Sequence, residues 1–440
     1  MKSAVNIIGG GLAGCEAAWQ LLRRGHAVCL FEMKPQRFSP AHRTEHLAEL
    51  VCSNSLKSNN PDSAPGLLKK ELRALNSLIM SAADQTAVAA GSALAVDRTE
   101  FARTVENILL QQNNFELIRK ELTEIPGGAT TIIATGPLTS DVFARAISVM
   151  LGDAYLYFYD AIAPIVNADS INMEKVYLAS RYDKGTPDYL NCPLTEDDYK
   201  TFIHELLEGV KVSARNFEKI KHFEGCLPIE VLAARGHDAL AFGPMKPVGL
   251  INPRTGTMPY AVVQLRRENS SGTLYNMVGF QTKLTWPEQK RIFRLIPGLE
   301  YAEFARLGSI HRNTYIHSPS LLTPSLQLKT NPNIFFAGQI TGVEGYMEST
   351  AMGLLAGLSA ASILEKKPIK PPPASTAIGS LAHYITSDES RQNFQPMNIN
   401  FGILEKLPVK RMKKKEKHLE YARKSSQALK DWIRDQNLQT

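Results

Sequence analysis

Ala4-Val5-Asn6-Ile7-Ile8-Gly9-Gly10-Gly11-Leu12-Ala13-Gly14 is the stretch whose reading decides the fold of this chain. Its apolar start is too short for a helix and reads as a buried strand. Cys15 to Arg24 then reads as a helix, with Ala17, Ala18, Leu21 and Leu22 on one face and Gly25 closing it. Ala27 to Phe31 is a second strand, ending at Glu32. The whole is a βαβ unit of about 30 residues. Within it, Gly9-x-Gly11-x-x-Gly14 joins strand to helix, and Glu32 follows Gly14 by 18 residues. The three glycines differ in role. Gly9 makes the tight turn, Gly11 lets the backbone approach a pyrophosphate, and Gly14 lets helix and strand pack closely. Gly10, Leu12 and Ala13 complete the turn. The helix N-terminus attracts the anion. Glu32 is placed to accept hydrogen bonds from an adenosine ribose. A dinucleotide-binding α/β unit is the expectation.

A later segment bears on which dinucleotide. Thr130 to Pro137 reads as a buried strand ending in a turn at Gly136. Asn333 to Ala337 is another strand, Gly338-Gln339-Ile340-Thr341-Gly342 a turn, and a helix runs from about 345 to 364. A second helix N-terminus there can reach the cofactor's ring or pyrophosphate. A dehydrogenase that releases NAD has less need of that late clamp, so tightly held FAD is favoured. Gly136, Gly338, Gln339 and Gly342 join the glycine loop and Glu32 as candidate cofactor contacts.

Residues 34–66 are rich in Pro, Ser, Asn and His and read as a long irregular segment holding Cys52. Helices are expected near 66–80 and 97–112. From about 146 to 319 the pattern changes. Strands are expected at Tyr155 to Tyr159, 259–267 and 273–281, and helices near 195–209 and 285–296. Asn269-Ser-Ser-Gly272 is the hairpin connection. This predicts a discontinuous cofactor-binding domain, 1–145 with 320–440, and an inserted α+β domain, 146–319.

The chain has 440 residues, 44% hydrophobic and 21% charged, which excludes a mostly disordered protein. Ser349 to Leu364 is uncharged but only 16 residues long, against roughly 20 for a membrane span, and reads as a buried helix. Five cysteines without a C-x-x-C pair argue against a disulfide framework and a zinc site. His42 and His46 stand four apart with no third ligand at a motif spacing, so no metal is expected. No signal-peptide pattern opens the chain, and a cytoplasmic location is the expectation. Net charge is +7, and residues 405–424 alone carry +6. Lys410, Arg411, Lys413, Lys414, Lys415 and Lys417 form the densest run and suit a polyanionic partner.

Several stretches together resemble the folate- and FAD-dependent tRNA uracil-5-methyltransferases. They are Asn6 to Gly14, Phe31-Glu-Met-Lys-Pro35, Glu49-Leu-Val-Cys-Ser-Asn-Ser-Leu-Lys57 and Ala95-Val-Asp-Arg-Thr-Glu-Phe101. Phe223-Glu-Gly-Cys-Leu-Pro-Ile-Glu230, Gly243-Pro-Met-Lys-Pro-Val-Gly-Leu250 and Gly338-Gln-Ile-Thr-Gly-Val-Glu-Gly-Tyr-Met-Glu-Ser349 complete the set. Larger tRNA-modifying flavoproteins of the GidA type share the opening motif. The resemblance implies a Rossmann-like FAD-binding domain of the glutathione-reductase type. It implies methylation of a uridine at C5 in RNA, the T-loop uridine of tRNA above others. The carbon comes from 5,10-methylenetetrahydrofolate and the electrons from NAD(P)H through FAD. No second nucleotide fingerprint is present, so the nicotinamide visits transiently.

Uracil C5 is a poor nucleophile until a thiolate adds at C6 and makes C5 an enolate carbon. The resemblance implies that Cys52 and Cys226 share the work, one attacking C6 and the other moving a proton. The sequence leaves the assignment open. A helical run after Cys226, Ile229 to Ala234, favours Cys226 as nucleophile, with Cys52 as acid/base. Cys15 and Cys29 sit in a helix and a strand and read as small buried side chains, and Cys192 has no assignment. Arg98, Lys246 and Glu344 suit either ligand contacts or ion-paired support. Two other functions suit the same residues: a flavin-containing RNA-binding scaffold without methyl transfer, and an FAD oxidoreductase of a small metabolite. Ribosomal RNA is the alternative substrate.

Overall fold

A computed structural model describes residues 4–152, 155–183, 186–212, 227–367, 370–392, 394–408 and 412–438. Val5–Ile8 forms the expected first strand and is buried on both faces, as parallel strands between layers are. It pairs in parallel with Val28–Glu32 on one side (Val5 opposite Val28) and with Thr131–Ile133 on the other (Ile7 opposite Ile132). Phe115–Arg119 extends the sheet beyond the second strand, and Asn331–Phe336 extends it beyond Thr131–Ile133, both in parallel. Gln327–Leu328 closes that edge antiparallel. The chain therefore reverses its direction of travel between Val5–Ile8 and Thr131–Ile133. A crevice opens at the carboxyl ends of strands at such a switch point.

The first helix, Leu12–Leu22, starts earlier than the apolar spacing predicts, directly at the glycine turn. It lies between the sheet and the helix Tyr346–Leu364. Small residues set that second contact. A Cβ at Gly353 would stand 2.3 Å from the Ala13 carbonyl oxygen, and one at Gly357 would stand 2.7 Å from that of Ala17. Tyr346–Leu364 is long and apolar enough to cross a membrane, but 89% of its apolar window is buried inside the protein. It begins before the uncharged stretch because Glu348 is buried in an ion pair with Lys57. The helical region expected near 66–80 is two helices, Ala64–Ala74 and Leu78–Gln85. Asn76 separates them with a φ of 55°, and Ser77 caps the second.

A second, antiparallel sheet lies in the middle of the chain. Its order is Tyr177–Ala179, Tyr189–Leu194, Ala261–Arg267, Leu274–Met277, Ile165–Asn167 and Phe304–Arg306. The helices Glu196–Glu208 and Trp286–Phe293 cover one face, burying Tyr199, Phe202, Ile292 and Phe293 around Phe280. The expected hairpin at 269–272 is present, between Ala261–Arg267 and Leu274–Met277. A two-stranded ladder, Tyr155–Ile162 with Ser309–Ile316, leads into and out of this sheet. The boundary expected at 145/146 cuts through the helix Asp141–Leu151. Phe143 and Ile147 of that helix pack with Ile8, Ile133 and Phe336 of the parallel sheet.

Because Gly353 meets backbone rather than a movable side chain, Gly353→Ala is expected to cost about 1–3 kcal/mol, at the upper end of that range. A lowered thermal unfolding midpoint checks it.

Candidate functional site

The cleft at the switch point spans about 1010 Å³, open solvent included, and is walled by Gly9 to Ala13, Glu32, Thr135 to Ser140, and Gly338 with Gln339. Gly9 has a φ of 105°, and a Cβ there would lie 2.6 Å from the Ala134 carbonyl oxygen. A Cβ on Gly14 would lie 1.9 Å from the Gly9 oxygen, so this residue packs helix on turn beneath the cleft. Gly11 is different: a Cβ there meets nothing within 4 Å. Its bare backbone faces open space, which is the cradle a diphosphate needs. No side chain caps the helix at Gly11, so the first helical amides remain for a ligand. Glu32 is buried. The Gly10 amide donates to its Oε2 (2.8 Å) and the Lys34 amide to its Oε1 (2.9 Å). Each carboxylate oxygen keeps a lone pair for ribose hydroxyls.

His42 also lines this cleft, in an irregular loop rather than on a helix face. Its Nδ1 lies 2.6 Å from Ser39 Oγ. Burial, aided by the Lys34 ammonium, pushes its pKa down to about 4, so the ring is neutral at pH 7. His46 instead pairs with Glu106 (2.5 Å). Among the described residues no group of His, Cys, Asp and Glu is placed to hold a metal ion.

A second cleft of about 1130 Å³ adjoins the first. Val51, Pro137, Leu138, Gln339 and Tyr346 line both. Cys52 is half-buried on its wall. The loop carrying it is held at every residue. Arg98 Nη1 donates to the Leu50 carbonyl, Arg306 Nη1 to that of Val51 (2.8 Å) and Arg306 Nη2 to that of Cys52 (2.9 Å). The Cys52 and Ser53 amides donate to the Tyr346 hydroxyl (2.8 and 3.1 Å). Arg266 reaches Ser53 Oγ (2.6 Å) and Asn54 Oδ1 (3.1 Å), and Asn54 donates to the carbonyls of Val96 and Arg267. Burial pushes the Tyr346 phenol up, so it stays neutral. Burial, aided by the neighbouring Arg98, pushes the Arg306 guanidinium down to about 10, still a cation at pH 7. Across the cleft, Lys57 pairs with Glu348 Oε1 (3.0 Å). Glu348 Oε2 is buried without a hydrogen-bond partner among the described residues. Gln339 Nε2 donates to Glu344 Oε2 (2.6 Å) on the same wall.

The expected cofactor contacts therefore gather, except for Gly14, which lies beneath the cleft, and Gly342. Gly342 lines neither cleft; a Cβ there would stand 2.4 Å from Phe394 Cζ, so it serves packing. Cys226, Lys410 and Arg411 lie outside the described residues. Lys413, Lys414, Lys415 and Lys417 are exposed at the start of the helix Lys414–Asp435. That helix docks through Tyr421, Ser425, Leu429 and Trp432, and Ser425 Oγ donates to Glu71 of the helix Ala64–Ala74. Arg423 and Lys424, in contrast, are paired with Glu420 and Glu405. Arg98 is buried support, paired with Glu268 (2.6 Å); burial pulls its pKa down, and the carboxylate outweighs this. Glu344 lines the second cleft, and Lys246 is exposed. Cys15 and Cys192 are buried and burial raises both thiols; Cys29 is half-buried with Sγ 3.4 Å from Glu116 Oε2. Motif reading passed over Tyr346, Lys57 and Glu348, although the quoted motifs contain them. It had no sign of Arg306.

A crevice of this kind at a switch point marks an α/β dinucleotide-binding protein, here with a thiol facing an adjoining cleft. Comparison with known proteins is more particular. The family model of glucose inhibited division protein A matches residues 4–368, and the chain belongs to that family. It is 60% identical over 432 residues to the methylenetetrahydrofolate–tRNA-(uracil-5-)-methyltransferase TrmFO of Syntrophus aciditrophicus, covering 98% of both chains. The proteins of the same name from Geobacter sulfurreducens (56%; 98% of this chain, 99% of that one) and Bacillus velezensis (54%; 97% and 98%) are similarly close. Among solved structures, GidA of Aquifex aeolicus superposes with a TM-score of 0.72 at 17% identity, covering 99% of this chain and 74% of that one, a likeness of fold.

Gly11→Val is expected to preserve the fold and abolish dinucleotide binding, since its added carbons enter open space. Gly9→Ala is expected to damage the fold itself. Thermal melts with bound-flavin absorbance separate the two. The depressed pKa of His42 has a sign too. The unfolded chain binds the proton first, so the stability contributed by the neutral ring is lost as pH falls from about 6.5 towards 4. His42→Gln should flatten the stability–pH curve in that window.

Proposed function

We propose that this protein transfers the methylene carbon of 5,10-methylenetetrahydrofolate to C5 of a tRNA uracil, the T-loop uridine above others, with FAD resident in the first cleft. The observation that carries this reading is the junction of the clefts, where Val51 lines both and the adjacent Cys52 lines the second. Bound FAD, reduced by NAD(P)H, supplies the redox and one-carbon chemistry.

The protein's own residues do the rest. Gly9 to Gly11 and the helix N-terminus hold the pyrophosphate, Glu32 holds the ribose, and Gly136, Gly338 and Gln339 border the rest of the cofactor. The second cleft receives folate and the extruded uracil. Glu348 Oε2 is a ready acceptor for pterin N–H groups, and Lys57 a ready donor to a folate carboxylate. Cys226 adds at uracil C6, which makes C5 a carbon nucleophile, and Cys52 takes the C5 proton. Lys413, Lys414, Lys415 and Lys417, with Lys410 and Arg411, neutralise phosphates. The parallel sheet is read as a Rossmann-like unit of the glutathione-reductase type. The inserted α+β unit is bounded by the ladder Tyr155–Ile162 with Ser309–Ile316. The setting is cytoplasmic.

The test begins with the visible spectrum of the purified protein. It is then incubated with methylenetetrahydrofolate, NAD(P)H and unmodified tRNA transcript. A flavin spectrum and 5-methyluridine by nucleoside mass spectrometry are expected, with product lost in Cys226→Ala and Cys52→Ala. No product on tRNA, but product on ribosomal RNA, would move the substrate; none on either would sink the reading. Replacing Lys413, Lys414, Lys415 and Lys417 by Gln should weaken tRNA binding and shallow its salt dependence by about 0.7–0.9 log units per lost phosphate contact.

A further inference from the structure

The charge around Cys52 does not balance. Arg98 and Arg306 both donate to the cysteine loop, and the nearest anion, Glu268, is committed to Arg98 by two bonds from its Nε (3.1 Å) and Nη2 (2.6 Å). Arg98, Arg306 and Glu268 thus sum to +1 in a place largely shut off from water. The other groups facing the loop do not cancel it. Arg266 at Ser53 adds positive charge. Lys57 and Glu348 neutralise each other, and Glu344 is engaged by Gln339. Tyr346 accepts two amide bonds and stays protonated. A buried donor is left over: Arg306 Nε has no hydrogen-bond partner among the described residues. A negative charge at Cys52 Sγ would complete the cluster.

We propose that Arg306 is a positioning residue that, with Arg98, holds Cys52 as a thiolate in the resting enzyme. The two Nη atoms of Arg306 grip successive carbonyls, a fork that lysine cannot reproduce, while the guanidinium charge stabilises the anion. The inference rests on the role given to Cys52 above and sharpens it: a thiolate enters the cycle ready to take the C5 proton, becoming a thiol, with no base needed to activate it first.

The test is the pH dependence of Cys52 alkylation by iodoacetamide, read on the Cys52 peptide by mass spectrometry in the full-length flavin-loaded protein. The wild-type midpoint is expected below the ordinary thiol value of about 8.5. Arg306→Met should raise it by about one unit or more, and Arg306→Lys by less. A one-unit rise cuts the thiolate fraction tenfold but makes each thiolate about threefold more reactive, so the rate well below the midpoint falls only about threefold; the midpoint is the decisive readout. A wild-type midpoint at or above about 8.5, or no movement in Arg306→Met, overturns the proposal. Equal movement in both variants also overturns it, because lost geometry and not lost charge would then be the cause. If Arg306→Met does not fold, Glu268→Gln serves instead: removing the anion should lower the midpoint, and a rise or no change defeats the idea. The assay needs no turnover. Full 5-methyluridine formation in Cys52→Ser would therefore remove the catalytic role of Cys52 while leaving the charge assignment to stand or fall on the midpoints.

Discussion

Close backbone contact on two sides of the helix Leu12–Leu22 is the constraint from which the rest follows. On one side Gly14 lets the helix rest on the Gly9 carbonyl. On the other, Gly353 and Gly357 bring the helix Tyr346–Leu364 against Ala13 and Ala17. The first contact aims the helix N-terminus at the crevice. The second fixes the start of Tyr346–Leu364, and so places Tyr346 on the wall common to both clefts and Glu348 inside the second. A cradle for an anion and a support for a thiol are thus set by the same few small residues.

The Cys52 loop is the second point of convergence. It belongs in sequence to the parallel-sheet half, yet Arg266, Arg267 and Arg306 of the antiparallel sheet hold it. Asp97 strengthens the same junction. One of its carboxylate oxygens caps the helix Arg98–Leu110, and the other accepts from the amide and hydroxyl of Ser270 in the hairpin. A buried, densely bonded polar network of this kind specifies one geometry, because any displacement leaves further charged or polar groups unpaired. The antiparallel sheet therefore fixes the backbone of the cysteine loop.

The C-terminal basic helix is tied to the same frame. Ser425 and Glu71 link it to the helix Ala64–Ala74, whose second residue, Pro65, lines the second cleft. Among the described residues, the exposed lysines at its start have no acidic partner as close as those of Arg423 and Lys424.

Much of the parallel sheet was legible in the sequence. A strand–glycine–helix spacing is a local property, and the chemistry of Gly9, Gly11, Gly14 and Glu32 is dictated by the turn they form. The basic tail was legible for the same reason, since charge is written residue by residue. The sequence could not show the packing of Gly342, because a glycine that avoids Phe394 looks the same there as one that admits a ligand. Tertiary structure alone decided the surroundings of Cys52. Arg306 lies 254 residues from it, and its partners are backbone carbonyls, which every residue type carries. No residue pattern marks a main-chain acceptor common to all twenty residue types, so only the folded chain shows which cation the cysteine loop receives.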